Sequence, residues 1–349
     1  MKSKKTTFEE YSKDRTKRTS VIQKYSLVVL FLIPFLTFFS IFVIYPFFKG
    51  IYMSFFHWNT ADPTDTYFVG LKNYYEILFQ KETIVTMGKV TLTTPNATFY
   101  NFWYSLLYTV LYCLVCVPLC IILPLLFSIL IKAKPAGYKI FRNIIYLPSI
   151  FALSATGTAF VYLFASNDTG FVNNLFNIDV NWLGETKNAW FVILLLCLYG
   201  IGGNFIILNA ALENVDKSLY EASNVDGCNG FQKLIYVTLP NIKFQLIFCT
   251  FNTIIGYLNL YGQNRILTGG GPADFVHPER PGTTTTVIYV IQNYLSGSGK
   301  FSLAGKISAF ALCFGFIISL IVAAQLYLSK NKKGGHRYEK EFLAYLQQE

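Results

Sequence analysis

The sequence predicts an all-α integral membrane protein of six transmembrane helices, with both termini on the cytoplasmic side. Three observations carry this. Of 349 residues, 53% are hydrophobic, 17% aromatic and only 14% charged, whereas soluble domains carry about 25% charged residues. Six long apolar stretches contain no Asp, Glu, Lys, Arg or His. Lys and Arg are concentrated in alternate connecting segments. Such a chain is not a disordered protein, a coiled coil or an ordinary cytosolic enzyme. The net charge of +10 would suggest nucleic acid in a soluble protein. Here basic cytoplasmic loops account for it, and no nucleic-acid partner is expected.

The first 24 residues form a basic cytoplasmic tail without a motif, suited to lying along anionic lipid. Span one runs over residues 25–48. Its apolar run exceeds 20 residues, longer than the apolar core of a signal peptide, and bulky Tyr45-Pro46-Phe47-Phe48 offers no cleavage site, so it is expected to stay attached. The remaining spans cover residues 102–131, 144–165, 189–212, 244–261 and 307–328, each close to or above the ~20 residues that cross a bilayer. The second is the longest, so it tilts or projects beyond the membrane. Residues 329–349 form a cytoplasmic C-terminal tail. Segments 1–24, 132–143, 213–243 and 329–349 hold eight, four, three and five Lys and Arg. The opposite segments are sparser by roughly threefold, which places the first set inside the cell. Cys113, Cys116 and Cys120 share one face of span two, with no His or carboxylate beside them. They read as small buried hydrophobes rather than a metal site.

Several chemistries lack their residues. No Gly-x-x-x-x-Gly-Lys-Ser/Thr phosphate loop is present; Gly297-Ser298-Gly299-Lys300 lacks the first glycine and is followed by Phe301. The chain therefore binds no nucleotide or other cofactor of its own. The spans hold no ionisable side chain of the kind that relays protons or ions. A transporter with neither device draws its energy from a partner on the cytoplasmic side.

The loop of residues 213–240 is where such a partner could bind. Asp216 or Ser218 can cap a helix over residues 219–225. Gly227 and Gly230 supply stops. A second helix over residues 231–236 leads to Pro240, which suits the first turn of span five. Leu219, Tyr220, Ala222 and Val225 give this knob an apolar side, and Ala222 and Ser223 allow close approach. An amphipathic helix lying on the lipid interface fits the same pattern.

Glu221-Ala222-Ser223, followed at fixed spacing by Asp226-Gly227 and by Val237-Thr238-Leu239-Pro240, resembles the EAA loop of membrane permease subunits of binding-protein-dependent ABC importers. Ser223 and Cys228 stand where the family often has Ala. Four further stretches resemble the carbohydrate branch in the same order: Gly70-Leu71-Lys72-Asn73-Tyr74, Phe141 to Ser149, Asn181-Trp182-Leu183-Gly184, and Leu267-Thr268-Gly269-Gly270-Gly271-Pro272. The resemblance covers roughly residues 69–328. It implies the type I importer permease (MetI-like) fold in a bacterial plasma membrane, and import of a sugar or sugar-like solute. It also implies a second permease as partner, a cytoplasmic ATPase dimer holding ATP and Mg, and an extracellular solute-binding protein. On this reading the ATPase grips Leu219, Tyr220, Glu221, Ala222, Ser223, Asp226, Gly227, Leu239 and Pro240, with Glu221 and Asp226 orienting the knob. The outer stretches 75–101 and 273–286 are longer than the family's compact form; Pro278 and Pro281 mark the second as loop.

Asn252, Gly256, Asn259 and Gln263 recur at helical spacing in and after span five, with Tyr257 and Tyr261 alongside. Gly200, Gly202, Gly203 and Asn204 make a thin polar patch in span four. Amides match sugar hydroxyls, and rings cover apolar sugar faces. The same residue types also serve helix packing. The rival class is a polytopic membrane enzyme acting on a lipid or glycan. It needs clustered acids or His, yet Asp62, Asp65, Glu76, Glu82, Asp168, Asp179, Glu185, Asp274 and Glu279 are scattered.

Overall fold

Apolar runs free of charge become helices because lipid leaves backbone polar groups no other partner. A computed structural model of the chain describes residues 29–87, 90–166, 169–296 and 303–330. The N-terminal tail, residues 331–349 of the C-terminal tail, the start of span one, Asp168 and the Gly297–Lys300 run lie outside the described residues.

Three helices are long and apolar enough to cross a membrane singly: α1 (Val29–Ser54), α3 (Ala97–Lys132) and the last helix of the chain. Three further spans are bent pairs, giving up to six. Between α1 and α3 lie a small hairpin pairing β1 (Phe56–His57) with β2 (Tyr67–Phe68), a short α2 (Lys72–Leu78), and a longer hairpin of β3 (Glu82–Met87) with β4 (Val90–Pro95). Asn73 fastens α2 to the end of α1, donating to the carbonyls of Ser54 and Phe56 at 2.8 and 2.9 Å. Val29 to Lys49 are exposed throughout, and only the last turns of α1 pack, against the final helix.

The predicted third span is two helices, α4 (Tyr138–Ile150) and α5 (Leu153–Leu163), bent by 99°. Pro148 lies in the tightened last turn of α4, and Phe151 and Ala152 are extended, so the 3.6 repeat stops there. A short α6 (Phe171–Phe176) follows. The fourth span is α7 (Thr186–Tyr199) and α8 (Gly202–Glu213), bent by 42° at Gly200–Ile201. Then come α9 (Lys217–Val225), α10 (Gly230–Asn241) and α11 (Lys243–Leu258), the last two meeting at 76°. Pro240 belongs to the last turn of α10, not to the first turn of span five. The chain closes with α12 (Gly262–Leu267), α13 (Val287–Ser296) and α14 (Ala304–Lys330).

The core divides by level. Tyr112, Cys116, Ile193, Leu196 and Leu267 pack α3 against α7 and α12. Phe102, Leu258, Val287, Phe310 and Phe314 join α3, α11, α13 and α14. Leu212, Val215 and Ile242 gather where α8 turns towards the knob.

Candidate functional site

Two features stand out, a knob at one end of the bundle and a cavity within it. The knob begins at Asp216, whose carboxylate accepts from the Ser218 amide at 2.9 Å and caps α9. The backbone and side chain of Ser218 hold that carboxyl below the usual range. The end of α9 is a Schellman turn: Gly227 donates to the Asn224 carbonyl at 3.1 Å and Cys228 to that of Ser223 at 3.0 Å. Gly227 sits at φ +73°, in the left-handed region. Gly230 is not a stop. It opens α10, after Asn229 and Gln232 cap each other reciprocally at 2.8 and 2.9 Å.

The predicted apolar side splits in two. Tyr220 and Ser223 turn inward: Ser223 is buried and donates to the Tyr220 carbonyl at 2.7 Å. The Tyr220 hydroxyl meets Thr238 at 3.0 Å, and its ring lies 4.0 Å below the Lys132 ammonium. Lys132 also donates to the Leu212 carbonyl at 2.9 Å. One lysine thus joins the ends of α3 and α8 to the knob. Leu219, Ala222 and Val225 face outward, with Val225 89% exposed. The Glu221 and Asp226 carboxylates are exposed and make no hydrogen bond or ion pair among the described residues. Leu239 and Pro240 lie on the last turn of α10. An exposed apolar ridge flanked by unpaired carboxylates fits a protein partner better than bare solvent.

The cavity, of about 390 Å³, forms where spans three and four break and α11 ends. Gly200, Gly203, Asn204, Asn252, Gly256, Tyr257 and Gln263 all line it. Asn259 does not: α11 ends at Leu258, and Asn259, its cap, is exposed and donates to the Ile255 carbonyl at 2.8 Å. Gln263 reaches the cavity from α12, not along the face of α11. Sequence spacing missed Ser149, Thr156 and Thr253, which add hydroxyls to the wall. Ser149 comes from the tightened turn that ends α4, Thr156 from the first turn of α5, and Thr253 from within α11 beside Asn252.

Asn204 both packs and lines. Pro124 has no amide to give the Cys120 carbonyl one turn earlier. The Asn204 side chain donates to that carbonyl at 2.9 Å and to Thr253 at 2.9 Å. The Tyr257 hydroxyl lies 3.0 Å from the Cys120 thiol. The wall holds amides, hydroxyls, thiols and rings, and no ionisable acid or base among Asp, Glu, Lys, Arg and His. It therefore suits an uncharged, hydroxyl-rich solute. Among the described residues no group of three His, Cys, Asp or Glu could hold a metal.

Residues 96–334 match the model of the family described as "Binding-protein-dependent transport system inner membrane component". The arabinooligosaccharides transport system permease protein AraP of Halalkalibacterium halodurans is 30% identical over 314 residues, 86% of this chain and 87% of that protein. The trehalose/maltose transport system permease protein MalF of Thermococcus litoralis is 28% identical, covering 83% and 90%. A chain of the crystal structure of a bacterial alginate ABC transporter, in complex with an alginate pentasaccharide-bound periplasmic protein, superposes with TM-score 0.66 at 18% identity, covering 90% of this chain and 97% of that one. At that identity the likeness concerns the fold.

Proposed function

The chain belongs to the binding-protein-dependent transport system inner membrane component family, a multi-pass membrane permease subunit and not an enzyme, and on that premise we propose that it imports an oligosaccharide or related neutral polyol. The observation that carries the solute class is the charge-free, hydroxyl- and amide-lined cavity at the helix breaks. Non-helical backbone at membrane depth is tolerated where it lines such a cavity. The names of the sugar permeases AraP and MalF point the same way.

The segment 213–240 is the contact for a cytoplasmic ATPase dimer, which holds ATP and Mg. A second permease completes the path, and an extracellular binding protein delivers the solute. Closing of the ATPases on ATP displaces the knob, and Lys132 passes the motion to α3 and α8. Leu219, Ala222 and Val225 supply the apolar contact, Glu221 and Asp226 its charge, and Tyr220 and Ser223 hold the knob to the bundle.

Two results test this. The chain purified alone in lipid should hydrolyse ATP only at background rate; robust turnover without a co-purifying ATPase would overturn the reading. In vesicles holding the full complex, labelled arabinotriose, maltotriose and lactose should be compared. At least one should be accumulated with ATP. Tyr257→Ala should lower that uptake about tenfold, since it removes a ring and a hydroxyl from the wall, while the complex still assembles. Normal uptake by the variant would make the cavity a packing defect rather than a path.

A further inference from the structure

A second cavity, of about 560 Å³, opens at the end of the bundle away from the knob, between α13 and residues 269–282. Its volume lies in the range of ligand sites. The Gly269-Gly270-Gly271-Pro272 motif forms one wall and is held fast. Thr285 donates to the Gly270 carbonyl at 2.8 Å, the Thr283 amide to that of Pro272 at 2.9 Å, and Tyr289 to that of Gly269. Gly282 approaches the Gly270 carbonyl so closely that a Cβ there would lie 2.1 Å from the oxygen. Such a wall is formed before any ligand arrives.

Two polar groups that line it, on Arg280 and Asn293, keep hydrogen-bonding capacity that the described residues do not fill. Arg280 points a guanidinium over the Tyr104 ring, 4.6 Å from its centre. Its charge is offset by Asp274 at 3.8 Å and Glu279 at 3.9 Å, yet both distances exceed a hydrogen bond, and its buried Nε has no hydrogen-bond partner. Asn293, exposed on α13, makes no hydrogen bond among the described residues. Asn101 and Tyr294 are joined at 2.7 Å. Phe275 stands at the lip, 92% exposed.

We propose that this cavity is a second saccharide subsite, at the outer mouth, holding the sugar units that extend beyond the inner cavity. The proposal rests on the carbohydrate reading above and deepens it. Of the charged groups that line it, the Asp274 carboxylate offsets the Arg280 guanidinium, and Glu279 lies beside that guanidinium, so the site does not seek an anion. A guanidinium fork, a free amide and the exposed ring of Phe275 are instead the groups that take up vicinal hydroxyls and the apolar face of a sugar. The two cavities adjoin through one segment. Leu260 and Gln263 line the inner one, Gly269 to Gly271 the outer, and the Tyr261 ring lies tilted at 37° to that of Tyr289 with ring centres 6.1 Å apart.

The test uses the full complex in vesicles, with binding protein and ATP, and whichever of arabinotriose and maltotriose the unaltered complex accumulates. Asn293→Leu and Arg280→Lys should each raise KM for the trisaccharide about tenfold, the loss of one or two hydrogen bonds, with less effect on the matching disaccharide. ATP hydrolysis stimulated by the sugar-free binding protein should be unchanged. If both variants keep the original KM while Tyr257→Ala is impaired, the second subsite is wrong and the carbohydrate reading stands. If KM and binding-protein stimulation fail together, the cavity is a docking surface for that protein, and the subsite is again wrong. If the unaltered complex accumulates lactose but neither trisaccharide, the second subsite is wrong and the carbohydrate reading stands; if it accumulates none of the three, the carbohydrate reading fails and takes the subsite with it.

Discussion

Gly227→Val is expected to leave the permease in the membrane but to sever ATP hydrolysis from uptake. The residue sits at φ +73° with nothing within 4 Å of a built Cβ, so the defect is backbone strain and not a clash. A left-handed conformation costs a residue with a Cβ about 1–2 kcal/mol, and a β-branched one more. The cheapest escape is to open the Schellman turn, which releases the Gly227 and Cys228 amides and re-aims α9 against α10. Leu219, Ala222 and Val225 then no longer present one ridge. Solute-stimulated ATP hydrolysis in vesicles should fall to the unstimulated level, or the ATPase should fail to co-purify. Gly227→Ala should lie between. Glu221→Lys should act in the same direction, because that exposed carboxylate has no partner within the described chain. Cys228→Ala should be nearly silent. Full coupling in both Gly227→Val and Glu221→Lys would mean that the loop transmits no force.

Gly305→Leu should prevent the bundle from closing. A Cβ at Gly305 would lie 2.0 Å from the Phe56 carbonyl oxygen and 2.9 Å from that of Met53, both backbone atoms that cannot swing aside. This is where α14 rests on the end of α1, and small residues are what allow helices in lipid to approach so closely. Overpacking of this kind costs about 1–3 kcal/mol for added methylenes in a well-packed core, and here the obstacle is main chain. Folded protein recovered from membranes should fall at least tenfold, roughly the yield change that 1.4 kcal/mol represents. Gly315→Ala on the same helix is the control, since nothing lies within 4 Å of that position. Equal recovery of Gly305→Leu and Gly315→Ala would show that the close approach is not required.

Hydropathy made the bundle legible because lipid admits few charges, and the six runs contain none. It could not show that residues 144–165 turn through 99°, since Phe151 and Ala152 are as apolar as their neighbours. The hairpin of β3 and β4 left a trace, with Thr, Ile and Val runs on either side of Gly88-Lys89. In a chain dominated by helical runs that trace is faint. α13 is too short to span and opens on β-branched residues, so neither length nor propensity marks it. Helical spacing puts Asn252, Gly256 and Tyr257 together, and they line one cavity because α11 contains all three. The spacing does not carry on to Asn259, which lies outside the cavity wall because the helix ends at Leu258. Tyr220 is grouped by sequence spacing with Leu219, Ala222 and Val225 on one apolar side of the knob. Its pull inward comes from Lys132, far away in sequence.

α3 runs unbroken for 36 residues, about 54 Å at 1.5 Å per residue. Asn101 near its start lines the outer cavity, Cys120 the inner one, and Lys132 at its end holds the knob. A single driveshaft therefore passes all three stations. If nucleotide bound by a partner at the far end shifts it, both cavities register the shift at once. Thermodynamic reciprocity then fixes a relation between two binding experiments. Whatever factor nucleotide applies to sugar affinity, bound sugar must apply to nucleotide affinity.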